Sequence, residues 1–166
     1  MVGCMWESGG GRVRPHDFRN KRGAALVEFA IVALLLFTLV LGIIEFGMLL
    51  KDFLALNQAT REGARSAALR SNYNTVVNRV LTSGPGLDPS RITVVRPSYR
   101  VYDSTSGTWG PWIENAVPPD SILTSNVQVR VHSEYKHKLI TGSFFSWLAG
   151  GKDYLTVTSE MVMKRE

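Results

Sequence analysis

From Gly23 to Leu50 the chain runs for 28 residues with only two charges, Glu28 and Glu45. Between them, Phe29 to Ile44 is a stretch of 16 residues with no charge, and Thr38 is its only polar side chain. A run of this kind has few folding options. In lipid every backbone donor and acceptor must be satisfied within the segment, which selects a helix. At ~1.5 Å per residue the whole run is about 42 Å long, against a ~30 Å hydrocarbon core. It is long enough to span, with Glu28 and Glu45 near the two interfaces. A buried soluble helix of this length and uniformity would be unusual. A cleaved secretory signal fits poorly, because the run is long and no small-x-small site closes it.

Charge sets the expected orientation. Arg19, Asn20, Lys21 and Arg22 lead into the run, and residues 1–23 carry +3 of the formal +5. A basic flank stays cytoplasmic, so the chain is expected to cross the cytoplasmic (inner) membrane once with its C-terminal part outside. Residues 24–166 carry the remaining +2, nearly balanced. No basic stripe with interleaved aromatics appears, which argues against a nucleic-acid partner. Cys4 is the only cysteine. The exported part must therefore fold without an intramolecular disulfide, and Cys4 precedes the apolar run, the wrong order for lipid attachment.

Glu28 needs a reason. A carboxylate at the centre of a bilayer costs about 2.5–3.5 kcal/mol on insertion scales, and less near the edge. One reading has Glu28 snorkel to the cytoplasmic headgroups beside Lys21 or Arg22. The other starts at Gly23. If the chain is cut after Gly23, Ala24 becomes an α-amino terminus and Glu28 becomes the fifth residue of the mature chain. The carboxylate could then neutralise the amine of a neighbouring subunit within lipid. Glu45 lies 17 residues further on, roughly 260° around a helix, so the two acids do not share a face. Glu45 is expected at the outer interface, reaching water.

Gly23 followed by Glu28 after a basic arm resembles the class III signal of type IV pilin-like proteins. Three blocks narrow the resemblance: Arg22-Gly23-Ala24-Ala25-Leu26-Val27-Glu28-Phe29-Ala30, then Gly42-Ile43-Ile44-Glu45-Phe46-Gly47, then Arg61-Glu62-Gly63-Ala64-Arg65. Together, over about residues 20–70, they resemble the TadE-like family, minor pilin-like proteins of tight-adherence (Flp) pilus systems. The resemblance implies cleavage by a prepilin peptidase between Gly23 and Ala24, and a subunit-pairing role for Glu28. It further implies other pilin-like subunits and the pilus assembly machinery as partners; the spacing alone only permits the cut. The family segment often has a proline after its Glu-Phe-Ala block. Here Ile31-Val32-Ala33-Leu34 follows, which predicts a straighter helix.

Beyond the run, the helix is expected to continue from Lys51 to about Arg70. Ala59, Gly63 and Ala67 recur every four residues as a small-residue stripe, with Ala64 and Ala68 beside it, suited to close packing on the chain's own sheet or on a neighbour. Glu62 and Arg65 can pair on a wetter face. Ser71 to Asn74 offers caps for a short helix over 75–81, ended by Gly84-Pro85-Gly86, and Asp88-Pro89-Ser90 is a turn. Ile92 to Val95 reads as a strand interrupted by Pro97. Tyr99–Tyr102 and Thr108–Ile113 read as a hairpin around residues 103–107. The clearest strand is Val127–Lys136, with Val127, Val129, Val131 and Tyr135 on one face and Gln128, Arg130, His132, Glu134 and Lys136 on the other. Leu155, Val157, Met161 and Met163 repeat the alternation, and Phe144, Phe145, Trp147 and Leu148 suggest a short apolar helix or loop.

The expected fold is α+β: a long transmembrane helix extending into a small exported domain with an antiparallel sheet. The divisions are a basic leader at 1–23, a membrane helix at 24–50, a helical extension with a second helix at 51–82, and a β-rich part at 83–166. Trp109 and Trp112, in an irregular stretch with Pro111, Pro118 and Pro119, are either a partner contact or a cover for the sheet end.

No catalytic framework is visible. His16 lies on the leader. His132 and His137 are five apart, on opposite faces of a regular strand, a poor arrangement for one metal. No framed serine nucleophile occurs, and Gly9-Gly10-Gly11 lacks the Lys-Ser/Thr of a phosphate loop. The expectation is a non-enzyme with no cofactor, no metal and no small-molecule substrate. The competing expectation is an uncleaved, membrane-anchored outer domain that binds a ligand or protein.

Overall fold

A computed structural model describes residues 18–122, 126–142 and 150–165. The leader up to residue 17, with Cys4, the glycine triplet and His16, lies outside the described residues. So does the segment holding Phe144, Phe145, Trp147 and Leu148.

The first helix, α1, covers Phe18–Ala68 without a break. No proline interrupts it, and Thr38 bonds back to the Leu34 carbonyl at 2.8 Å, so the one polar side chain of Phe29–Ile44 needs no outside partner. The chain divides into two compact units between Val40 and Leu41. In the first, almost every side chain from Gly23 onward is exposed. In the second, α1 buries one face. Ala55, Leu56, Ala59, Thr60, Ala64 and Ala67 recur at three- and four-residue steps, the repeat of a helix laid on a sheet.

The end of α1 is a Schellman closure. The Ser71 N–H bonds to the Ser66 carbonyl at 3.2 Å while Arg70 takes a left-handed φ of 64°. The second helix, α2, covers Tyr73–Ser83, and Asn72 caps it by accepting from the Thr75 N–H at 2.8 Å. Val76 and Val80, one turn apart, are its buried face. A single 3-10 turn at Pro89–Arg91 follows, capped by Asp88. The Ser90 hydroxyl and N–H hold the Asp88 carboxyl below its ordinary range.

The sheet is wholly antiparallel and built from β1 (Ile92–Asp103), β2 (Thr108–Trp109), β3 (Ile113–Glu114), β4 (Val127–Lys138) and β5 (Tyr154–Lys164). Its order is β2-β1-β4-β5, with β3 also on β1. The architecture is therefore the expected α+β one. Two strand expectations need correction. Pro97 does not interrupt β1, which runs straight through it opposite Val131. The Pro97 carbonyl accepts from the Ala116 N–H at 2.9 Å, on the side away from β4, so the missing proline donor faces an edge that offers only short pairing. The return strand of the hairpin is split into β2 and β3 by Gly110-Pro111-Trp112. The turn between β1 and β2 is held by Asp103, whose carboxyl accepts the Thr105 N–H and the Ser106 hydroxyl and is kept below the usual carboxylate range by them.

β4 is the spine. Its inward side chains are Val127, Val129, Val131, Ser133, Tyr135 and His137, all buried. One cluster joins Val127, Val129 and Val131 to Ala59, Ala64 and Ala67 of α1 and to Val76 and Val80 of α2. A second joins Leu56, Tyr135 and Val157. Each fully buried valine or leucine contributes roughly 1.5–3 kcal/mol.

Candidate functional site

The residues singled out in sequence fall into three places. Gly23, Ala24 and Glu28 lie together on α1 in the first unit, all exposed. No hydrogen bond or ion pair joins Glu28 to another described side chain. Around and beyond it, Leu26, Phe29, Leu34 and Phe37 are each more than 65% exposed, so the helix offers apolar surface on every side. This is the one helix among the described residues that is long and apolar enough to cross a membrane.

Ala59, Gly63 and Ala67 are buried within the second unit. α2 lies so close to Gly63 that a methyl group added there would overlap the Val80 side chain. The small residues let two helices and a sheet meet where a larger side chain would hold them apart. Next to this stripe the Thr60 and Ser133 hydroxyls bond to each other, and the Ser159 hydroxyl donates to Asn57 at 2.6 Å. The face that α1 turns to the sheet is thus small and apolar with a few polar pairs set into it.

Trp109 and Trp112 are half-buried on the wet side of the sheet. Trp109 meets Tyr102 edge-on at 5.2 Å, and the Arg100 guanidinium lies over both tryptophans, at 5.1 and 4.6 Å. Arg130 lies over Trp112 at 4.4 Å and pairs with Glu114. The two rings are engaged with arginines of β1 and β4.

One constellation was not anticipated. Glu45, expected at the outer interface reaching water, is only 8% exposed. Its carboxylate accepts the Ile140 N–H at 3.0 Å, the Thr141 N–H at 3.1 Å and the Thr141 hydroxyl at 2.9 Å. His137 stands beside it, Nε2 to Oε1 at 3.6 Å, and the His137 Nδ1 is 2.8 Å from the Asp52 carboxylate. The His137 Nε2 is buried without a hydrogen bond among the described residues. The end of β4 is thereby tied to α1 by two carboxylates one heptad apart and an imidazole between them. A signal for this was present. Glu45 and Asp52 fall in register with Leu56, Ala59 and Gly63 on the helix, and His137 falls in the odd-numbered series of β4 that begins with Val127. Extending each pattern to its polar members would have paired them.

His132 is on the opposite face from His137, as the alternation requires, with Glu134 at 3.2 Å. Among the described residues no group of three or more His, Cys, Asp or Glu side chains is arranged to hold a metal ion.

Residues 23–65 match the family model described as TadE-like protein. The matched stretch opens at Gly23, contains Glu28, Glu45, Asp52 and Gly63, and ends before the sheet. Neither the curated proteins nor the solved structures contain a match to this chain. The family assignment of that segment agrees with the resemblance carried by its three sequence blocks.

Proposed function

We propose that this chain is a minor pilin-like subunit of a tight-adherence, Flp-type pilus system, cut after Gly23 and anchored by α1 in the cytoplasmic membrane with its sheet domain outside. The observation that carries the proposal is the TadE-like segment, which starts at the expected cut and holds a carboxylate five residues on. Its exposed apolar helix supports the same reading. A helix with apolar surface on every side is suited to lipid first and to the helices of other subunits afterwards. Cutting after Gly23 would create the Ala24 amine, and Glu28 would pair with the amine of a neighbour, removing the insertion penalty of both charges and fixing the axial stagger between subunits. A prepilin peptidase, other pilin-like subunits and the assembly machinery are the partners this implies. The work proposed for the chain is association rather than catalysis.

Intact-mass measurement on protein from its native membrane tests the cut. A mature chain beginning at Ala24 is expected; a full-length chain in cells with an active prepilin peptidase would overturn the proposal in favour of an uncut anchor for an outer binding domain. Glu28→Ala separates cutting from pairing. It should leave processing intact and lower pilus output, and unchanged output would remove the amine-pairing role.

A further inference from the structure

The charge-free stretch of α1 ends at Ile44, and the next two turns carry Phe46, Leu49, Leu50 and Phe53. With Leu155 of β5 these line an open, almost wholly apolar groove of about 400 Å³. The Glu45 bonds hold the turn after β4 against this part of the helix, where Ile140 is 58% exposed and Phe46, next to Glu45 in sequence, is 65% exposed. Exposed apolar side chains gathered in this way mark a surface that meets something apolar. The same end of the sheet is basic. Lys138 stands opposite Tyr154 in the ladder, Lys136 lies 5.0 Å from the Tyr154 ring and Lys152 lies 5.7 Å from it. Asp153 is their neighbour in sequence, while Glu45 and Asp52 at this end are buried and held by Ile140, Thr141 and His137. A tyrosine beside lysines, at the end of the sheet that also carries exposed apolar residues, has the composition of a bilayer interface.

We infer that the end of the domain formed by the Phe46–Phe53 face of α1, Ile140 and the Lys136–Lys138–Lys152 cluster around Tyr154 rests on the bilayer as a second membrane contact, with the lysines facing anionic lipid headgroups. The occupant is lipid because the groove begins where the charge-free stretch of the same helix ends, and because the lysines complement a negative surface. Glu45 is the positioning residue: by holding Ile140 and Thr141 to the helix it sets the depth at which Ile140 enters. The inference rests on the proposed membrane-spanning role of α1.

The test uses the full chain in a Cys4→Ser background, carrying one environment-sensitive fluorophore at Leu35→Cys, Ile140→Cys or Thr105→Cys. Thr105 is the control, since its turn lies at the opposite end of β1 from the Ile92–Tyr135 pairing. The protein is reconstituted into vesicles of phosphatidylcholine with phosphatidylglycerol, or of phosphatidylcholine alone, each with a doxyl-lipid quencher. The label at position 140 should be quenched roughly half as strongly as that at 35, or more, and the label at 105 hardly at all. Quenching at 140 should rise about twofold with phosphatidylglycerol, and Lys136→Gln/Lys138→Gln/Lys152→Gln should abolish that rise. Quenching at 35 but not at 140 overturns the inference while leaving the spanning helix intact. No quenching at 35 overturns the spanning reading and this inference with it. A signal at 140 that ignores the lipid quencher and grows with protein-to-lipid ratio identifies a second copy as the occupant and overturns lipid. Quenching indifferent to phosphatidylglycerol overturns the headgroup assignment.

Discussion

From Ala24 to Ile44, α1 leaves its side chains exposed on every side and bonds its one uncharged polar side chain, Thr38, to its own backbone. From Glu45 to Ala68, the same helix covers one face with a sheet and a second helix, and nearly every polar group on that face has a named partner. Each half carries an acid that looks misplaced in an apolar setting. Glu45 is answered within the chain, by two backbone donors and a hydroxyl. Glu28 has no bonded partner among the described side chains, and the pairing proposed for it lies with another molecule. The comparison shows that a carboxylate in an apolar run is not by itself a functional mark. What distinguishes the two acids is whether the fold already supplies their donors.

Replacing the answered acid should give the largest effect. Glu45→Ala leaves the two N–H groups and the hydroxyl of Ile140 and Thr141 without their acceptor and should destabilise the domain by about 3 kcal/mol, read as a lowered unfolding midpoint in detergent. A wild-type midpoint would erase the distinction between the two acids. Next is Gly63→Leu, which forces α2 away from α1. It should cost roughly 2 kcal/mol and increase protease cleavage near residues 71–73. An unchanged digestion pattern would mean that the small-residue stripe is not required for packing in this half. A gain is expected at the point where this half ends. Arg70→Gly relieves a left-handed residue at the Schellman closure and should stabilise by roughly 0.5–1 kcal/mol, measured by the same melt. Smallest is Glu28→Gln, expected to shift domain stability by less than about 0.5 kcal/mol, because no bond to another described side chain is lost. A larger shift would show that Glu28 has an internal partner and would end the comparison.

The regular parts of this fold could be read from periodicity. The apolar run, the small-residue stripe and the Val127–Val131 alternation each repeat a hydrophobic class at a fixed step, and each became the expected element. The short second helix was visible through its cap, although it begins at Tyr73 and not Thr75. Less legible was everything decided by which side of a strand is paired. Pro97 reads as a breaker in one dimension, and only the position of β3 shows that its missing donor faces a sparsely paired edge. Glu45, Asp52 and His137 were hidden for a related reason. A polar residue in an apolar series reads as a flaw until its partner is found, and that partner lies on a strand far along the chain. Glu28 stood out from sequence because its partner, on the proposed reading, is no part of the encoded chain.

The Glu45 contact also has a mechanical meaning. It joins residues 95 positions apart, so it closes a long loop of chain with a few bonds directed at one carboxylate. A pull entering α1 from its N-terminal side would reach the sheet first at this point, before the Thr60–Ser133 and Asn57–Ser159 pairs further along. The contact would then act as a rivet at the head of a seam. While it holds, the later pairs are loaded together; once it gives, they are taken one after another, as in peeling. On the proposed reading as a pilus subunit, such a fastening at that end would help the chain stay folded under tension.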